Sequence, residues 1–250
     1  MRSRTPHGRT RVLAGVGLGA LLASAVLAVS APASAATGEA HELLGYSVQH
    51  RAIRVHEVGA LASPKRILVV GCIHGNECAG IKITRRLARG PRPRWIDLWI
   101  VHDLNPDGHR LGVRQNGRGV DLNRNFRSQW IPIGERWDPE YSGPYPFSEP
   151  ETRIARDLIK RIRPHVTIWY HQPQALVRAW GGSRAMARRY ARLAREPYRS
   201  IPWPHGTAPN WQNHRFPAAA AFVVELPRGS LSPTQAERHA RAVRRLLGSS

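Results

Sequence analysis

His74 and Glu77 are two potential metal ligands separated by two residues, and they directly follow the apolar run Ile67–Gly71. Imidazole nitrogen and carboxylate oxygen both bind zinc, and a catalytic site made of two histidines and one glutamate leaves a fourth position open. A third ligand must therefore come from elsewhere in the chain. The segment predicts part of a zinc site at the junction of a strand and a helix.

Two further polar side chains stand where apolar runs end. His171 follows Val166–Tyr170, and Glu225 lies near the end of Ala218–Val224. Ligands of α/β sheets gather at the carboxyl ends of the strands. A carboxylate after an apolar run also has a desolvation cost unless it is paired, metal-bound or hydrated. We therefore expect His171 and Glu225 to lie at the same sheet edge as His74.

The elements that must position these residues alternate between strands and helices. Strands are predicted at Leu43–Gln49, Ala52–Val58, Arg66–Cys72, Trp95–Val101, His165–Tyr170 and Ala218–Leu226. Helices are predicted at Asn76–Ala88, Ser148–Ile162, Ser183–Arg195 and Pro233–Leu247, the second starting with a Ser148/Glu151 capping box. This alternation predicts a single α/β domain with a mixed, mainly parallel twisted sheet and helices on both faces.

The first 36 residues have the features of a secretory signal peptide. Four arginines precede the apolar stretch Val12–Val29, and Ala33-Ser34-Ala35 has the small-x-small pattern of a cleavage site. We expect cleavage after Ala35 or Ala36 and a secreted body of residues 37–250. The less favoured alternative is an uncleaved apolar stretch that anchors the chain in a membrane.

The chain is strongly basic, with a formal charge of +21, and subtracting the four leader arginines leaves +17. Only Lys65, Lys82 and Lys160 are lysines. An exported body of this charge favours anionic envelope polymers or acidic peptides as partners. The alternative is a set of solvated arginines that reflects GC-rich codon usage. We expect no nucleic-acid partner, because no binding motif and no basic run interleaved with aromatics is present.

Cys72 and Cys78 flank the His74/Glu77 segment. Export permits a disulfide between them. The alternative is two small buried thiols beneath the site, and the sequence does not decide between these arrangements.

The ordered motifs of the chain resemble those of one enzyme family. They are His74-x-x-Glu77, Asn105-Pro-Asp-Gly108, Asp121-Leu-Asn-Arg-Asn-Phe126, His171 and Glu225-Leu226. Together they resemble the M14 zinc metallocarboxypeptidases over about Leu43–Pro227. The segments Gly119–Phe126 and Phe147–Thr152 are similar to the short bacterial members, among them the murein peptide amidases. Those enzymes cleave the γ-D-glutamyl-diaminopimelate bond of cell-wall peptides.

The resemblance implies a role for eight residues. His74, Glu77 and His171 match the ligands of one zinc ion, and Asp121 matches the carboxylate that orients a zinc-binding imidazole. Glu225 matches the general base, and Arg114 matches the arginine that polarises the scissile carbonyl, with Arg110 and Arg118 as nearby alternatives. Asn123 and Arg124 match the pair that binds the terminal carboxylate of the substrate, for which a planar guanidinium is suited.

The predicted function is a secreted zinc metallocarboxypeptidase that acts on a peptide or muropeptide. The segment Ile201–Pro217 departs from larger family members, since it lacks their mobile tyrosine before the catalytic glutamate. Trp203, His205, Trp211, His214 and the upstream Tyr198 are the aromatic candidates, and the Gly206–Trp211 loop is a candidate cap. Two other functions remain open: a zinc deacylase of N-acyl amino acids and a non-catalytic envelope-binding protein.

Overall fold

A computed structural model describes residues 37–248, and the predicted signal peptide lies outside the described residues. Their central element is an eight-stranded sheet. The strands are β1 Thr37–Tyr46, β2 Ala52–Ala60, β3 Arg66–Val70, β4 Asp97–Val101, β5 Val166–His171, β6 Gln174–Ala179, β7 Tyr198–Ser200 and β8 Ala220–Pro227.

The strand order across the sheet is β1-β2-β4-β3-β5-β8-β6-β7. Strands β4, β3, β5 and β8 are mutually parallel, and β6 and β7 are parallel to each other. The pairs β1/β2, β2/β4 and β6/β8 are antiparallel. The predicted mixed sheet is therefore confirmed.

Helices cover both faces of this sheet. They are α1 Gly80–Arg89, α2 Pro106–Leu111, α3 Pro150–Ile162, α4 Arg184–Ala194, α5 Ala208–Arg215 and α6 Pro233–Arg245. On β3, Ile67 and Val69 pack into the core with α1, α4 and α6, whereas Leu68 and Val70 pack into the core with α3 and α5. A strand buried on both faces has a continuous apolar sequence, which explains the run after Arg66. Within residues 37–248, no helix has both the length and the apolar character needed to cross a membrane.

Two predicted helix starts are wrong for physical reasons. Helix α1 begins at Gly80 rather than Asn76, because residues 74–79 form the turn that carries the candidate ligands. Helix α3 begins at Pro150 with Glu149 at its N-cap and no side-chain cap, so the predicted capping box does not form. Glu151 instead accepts hydrogen bonds from the backbone N–H of Val48 and the amide of Asn116.

Strands β6 and β7 and helices α2 and α5 were not predicted. The β6 sequence, Gln-Ala-Leu-Val-Arg-Ala, has no regular alternation, since its first residues are exposed and its later ones face two different environments. Asn105 is the N-cap of α2, where its side chain accepts a hydrogen bond from the N–H of Gly108.

Candidate metal centre and adjoining cavity

The site lies where β3, β5 and β8 end side by side. His171 is the last residue of β5, and the sheet register places it opposite Glu225 on the parallel strand β8. His74 follows β3, the other neighbour of β5, after a three-residue stretch. The sheet order thus brings together the three strand ends that carry the predicted polar side chains.

His74, Glu77 and His171 form a compact triangle of potential ligand atoms. Oε2 of Glu77 lies 3.0 Å from Nδ1 of His74 and 3.1 Å from Nδ1 of His171. The two Nδ1 atoms are 3.2 Å apart. Tetrahedral zinc with ligands at about 2.0–2.1 Å requires ligand atoms to lie about 3.3 Å apart. Both the donor types and the triangle therefore fit one zinc ion.

Buried hydrogen bonds hold these ligands in position. Nε2 of His74 lies 3.0 Å from Oδ1 of the fully buried Asp121. This contact directs Nδ1 toward the triangle, as carboxylates do for metal-binding imidazoles. The backbone N–H of Gln172 donates to Oε2 of Glu77 at 3.2 Å. Nε2 of His171 is buried and has no partner among residues 37–248.

Burial and charge shift the pKa values of these groups in different directions. Burial would lower the pKa of His74, but the carboxylates of Asp121 and Glu77 outweigh it and raise the value. Burial lowers the pKa of His171 despite its hydrogen bond with Glu77. Burial would raise the pKa values of Glu77 and Asp121, but attraction to the histidines holds both well below their usual range. Both carboxyl groups are therefore ionised at neutral pH.

The turn that carries His74 is tied to the segment that carries Arg114. The buried amide of Asn105 donates to the carbonyl oxygens of Ile73, Arg114 and Gln115 at 3.1–3.2 Å. A Cβ atom at Gly75 would lie 1.9 Å from the carbonyl carbon of Gly108, so this close approach requires glycine. Asn105 and Gly75 therefore position the two segments relative to each other.

Cys72 and Cys78 form a disulfide, with Cα atoms 4.7 Å apart. Of the two arrangements that the sequence left open, the structure contains the bridge. The bridged loop contains both His74 and Glu77, so one covalent ring carries two of the three candidate ligands.

A cavity of about 450 Å³ adjoins the triangle, and every predicted site residue except Asp121 lines it. Glu225 is 7% exposed, and its Oε2 atom is buried without a partner in the described part of the chain. Leaving such an atom unpaired costs free energy unless a ligand or water satisfies it. Glu225 is therefore available to a bound molecule, whereas Asp121 contacts the site only through neighbouring side chains.

Arg114 lies beside the candidate ligands. Its guanidinium donates to Oε1 of Glu77 at 2.7 Å and is paired with Oδ2 of Asp121 at 2.9 Å. The two alternatives differ from it. Arg118 is half-exposed and pairs with Glu149, and neither Arg110 nor Arg118 lines the cavity.

Asn123 and Arg124 form another part of the cavity wall. Oδ1 of Asn123 accepts a hydrogen bond from the N–H of Ala208 at the start of α5. Arg124 is 8% exposed, and one of its nitrogens is paired with the carboxylate of Glu140, a mostly exposed residue that also lines the cavity. A substrate carboxylate that binds Arg124 must displace Glu140 or share the guanidinium with it.

The segment around Gly206 packs against Arg124. Gly206 has a φ of +65°, and a Cβ atom there would lie 2.2 Å from the carbonyl oxygen of Arg124. Trp203 and Thr207 line the cavity on either side of this glycine. Tyr198 packs instead with the core on the α1/α4/α6 face of the sheet and does not line the cavity. Trp203 is therefore the aromatic wall of the site.

Glu140 and Arg178 line the cavity but were missed in the sequence. Both lie in segments without a recognisable motif, and Arg178 lies on the unpredicted strand β6. No local signal identifies Arg178, because its position at the cavity follows from the antiparallel pairing of β6 with β8.

A family model described as zinc carboxypeptidase (peptidase M14) matches residues 93–234. The matched range is more than half of the chain. It contains Asp121, His171 and Glu225 and begins after His74 and Glu77.

Relatives with known names are similar over part of the chain. Murein peptide amidase A of Escherichia coli K12 is 35% identical over 127 residues, which cover 46% of this chain and 52% of the relative. Human carboxypeptidase A6 is 31% identical over 153 residues, which cover 49% of this chain and 35% of the relative. The chain thus spans about half the length of the curated amidase that it matches.

Solved structures share the fold over most of the chain. Murein-tripeptide amidase of Escherichia coli O157 has a TM-score of 0.67 at 27% identity, covering 83% of this chain and 91% of that one. Carboxypeptidase A of Helicoverpa armigera has a TM-score of 0.70 at 19% identity, covering 82% and 67%. The second similarity concerns the fold alone.

Proposed function

Because the chain belongs to the zinc carboxypeptidase family, peptidase family M14, we propose that it hydrolyses an amide bond next to a free carboxylate. The observation that carries this proposal is one cavity that joins a zinc-compatible triangle, the unpaired carboxylate Glu225 and the buried cation Arg124. His74, Glu77 and His171 would hold the ion. When bound, zinc supplies Lewis-acid activation of water and of the scissile carbonyl.

The side chains of the cavity supply the remaining chemistry. Glu225 takes a proton from the attacking water and returns one to the leaving amine. Arg124 binds the free carboxylate through two parallel N–H donors, with Asn123 beside it. Arg114 stabilises the negative charge that develops on the carbonyl oxygen. Asp121 keeps the imidazole of His74 oriented toward the ion.

The substrate we propose is a cell-wall peptide cleaved at a γ-D-glutamyl-diaminopimelate bond. Two observations support it: the curated relative with 35% identity is a murein peptide amidase, and the solved amidase is covered over 91% of its length. The test incubates the zinc-loaded protein with muropeptides, with ordinary peptides and with N-acetyl amino acids, and identifies products by mass spectrometry.

Each result of this test has a defined meaning. We expect release of diaminopimelate from the muropeptide at a higher kcat/KM than release of any residue from an α-linked peptide. Cleavage of the α-linked peptides alone would support a carboxypeptidase activity and contradict the proposed cell-wall substrate. Cleavage of N-acetyl amino acids alone, or of nothing, would contradict the proposed function.

We also propose that the protein is exported and meets the anionic cell envelope. The basic and apolar leader, the charge of the body and the Cys72–Cys78 disulfide support export, since disulfides persist in oxidising compartments. This proposal is tested by determining the N-terminal residue of the protein recovered from an expressing culture. A chain that starts at Ala36 or Thr37 in the medium is the expected result, and an intact chain in the membrane fraction contradicts cleavage.

A further inference from the structure

The cavity contains a third arginine, Arg178, that the proposed chemistry does not use. In the antiparallel register of β6 and β8, Arg178 is opposite Val223 and Leu176 is opposite Glu225. Opposite residues of such a pair share a face, and so do alternate residues of one strand. Arg178 and Glu225 are therefore diagonal neighbours on the same face, and both line the cavity.

Arg178 differs from the other two arginines of the cavity in its partners. Arg114 and Arg124 are paired with carboxylates, whereas Arg178 forms no ion pair with a residue in the range 37–248. Its Nη2 donates to the carbonyl oxygen of Pro202 at 3.3 Å, and its Nε is buried without an acceptor in that range. Burial lowers the pKa of Arg178, although Glu225 opposes the effect.

The surroundings of Arg178 are suited to an acyl or alkyl chain that ends in a carboxylate. The guanidinium carbon lies 5.9 Å from the ring centroid of Trp203, and Val223 stands opposite Arg178 on β8. These two side chains give apolar walls for methylene groups. A guanidinium with free N–H donors in a partly dry site binds a carboxylate in a planar, two-bond arrangement.

We propose that Arg178 binds a second carboxylate, located on the side chain of the residue that is released. This inference rests on the proposed function, in which Arg124 binds the main-chain carboxylate of the same residue. The released residue is then a diacid. Glutamate at the end of an α-linked peptide and diaminopimelate at the end of a wall peptide both have this chemistry, and an experiment can distinguish them.

The first measurement compares peptides that differ only in the last residue. Two α-linked peptides end in Glu or in its neutral isostere Gln, and two wall-type peptides end in diaminopimelate or in lysine, which lacks the second carboxylate. We expect kcat/KM to favour the diacid of each pair by about tenfold or more, as a charge-assisted hydrogen bond predicts. Equal rates within both pairs would overturn the inference. A preference in one pair alone identifies the source of the diacid.

The second measurement assigns this preference to Arg178. In Arg178→Gln the diacid preference should fall at least about tenfold. The control is Arg199→Gln, which removes the same charge from the exposed register partner of Arg178 on β7 and should keep the preference within about twofold. An unchanged preference in Arg178→Gln would overturn the inference. An equal loss in both variants would also overturn it, because the preference would then depend on the overall positive electrostatic potential and not on a contact with Arg178.

A binding measurement separates this inference from the proposed hydrolysis. Calorimetry of the zinc-loaded protein with L-glutamate and L-glutamine requires no turnover. We expect tighter binding of glutamate in the wild type and loss of that difference in Arg178→Gln. If no peptide is cleaved but this pattern holds, the proposed function falls and the diacid site stands. If peptides are cleaved and the two amino acids bind equally well to both proteins, the diacid site falls.

Discussion

Replacing Glu225 by Gln should lower activity and raise stability at the same time. The carboxylate is 7% exposed, and one of its oxygens has no partner within residues 37–248. The amide keeps the shape of the side chain and removes both the negative charge and the ability to accept a proton from water. General-base catalysis contributes about 10²–10⁴-fold to a rate. At about 1.4 kcal/mol per tenfold, this corresponds to about 3–5 kcal/mol of lost transition-state stabilisation.

The gain in stability follows from the same geometry. A polar oxygen buried without a partner costs the folded state about 1–3 kcal/mol. In zinc-free protein, Glu225→Gln should recover about 1 kcal/mol of this cost, which raises Tm by about 2–4 °C for a chain of this size. Residues placed for chemistry rather than for folding commonly show this opposition between activity and stability.

The assays are kcat for amide hydrolysis with zinc and thermal unfolding in the presence of a chelator. The control is Glu135→Gln, which makes the same chemical change at an exposed residue that does not line the cavity and should alter neither quantity. Unchanged turnover in Glu225→Gln would refute the assignment of Glu225 as base. A Tm lowered by several degrees would show that the carboxylate supports the fold and would contradict the predicted gain in stability.

Three further perturbations test the site and its surroundings. Asp121→Asn should raise the Kd for zinc about 10–100-fold in a chelator competition, because His74 loses its orienting carboxylate; an unchanged Kd would contradict that role. Arg124→Ala should reduce kcat/KM at least about tenfold more for peptides with a free terminal carboxylate than for amidated ones, and equal losses would remove Arg124 as the carboxylate anchor. Burial raises the pKa of Glu151 to about 7, so between about pH 4.5 and 7 the folded state holds a proton that the unfolded state releases, and stability falls as pH rises. In urea unfolding, the free energy of unfolding of the wild type should therefore fall by up to about 3 kcal/mol relative to that of Glu151→Gln over this pH window. A parallel pH dependence of both proteins would refute the raised pKa of Glu151.

The polar residues at the strand ends of the site illustrate what could be predicted from local sequence. His74, His171 and Glu225 each end an apolar run, and the cost of burying a polar side chain there makes such a residue conspicuous without any knowledge of its neighbours. Strands with continuous apolar sequence also predict a sheet covered on both faces. The order of those strands in the sheet depends on pairing between segments far apart in the sequence. The motifs of a known family were therefore needed to predict that the residues at the strand ends form one site.

Helix starts near the site were harder to predict. Asn76–Cys78 has a helical pattern, but the chain remains in a turn there because the disulfide and the hydrogen bonds to Asn105 hold that conformation. Ser148 and Glu151 match a capping box, but Glu151 is bonded to distant groups instead. In both cases tertiary contacts override a local preference worth about 1 kcal/mol.

The sequence by itself determined the α/β class and the polar side chains at the ends of three apolar runs, because each depends on the polarity of a residue relative to its immediate neighbours. The roles of candidate ligand and candidate base came from the resemblance to the family. Only the tertiary structure decided the charge pattern of the cavity. Arg178 lies beside Glu225 because β6 turns back antiparallel against β8, and Glu140 faces Arg124 across a long loop. Such pairings bring together residues far apart in the chain, and no local pattern of polarity records which strand a segment will join.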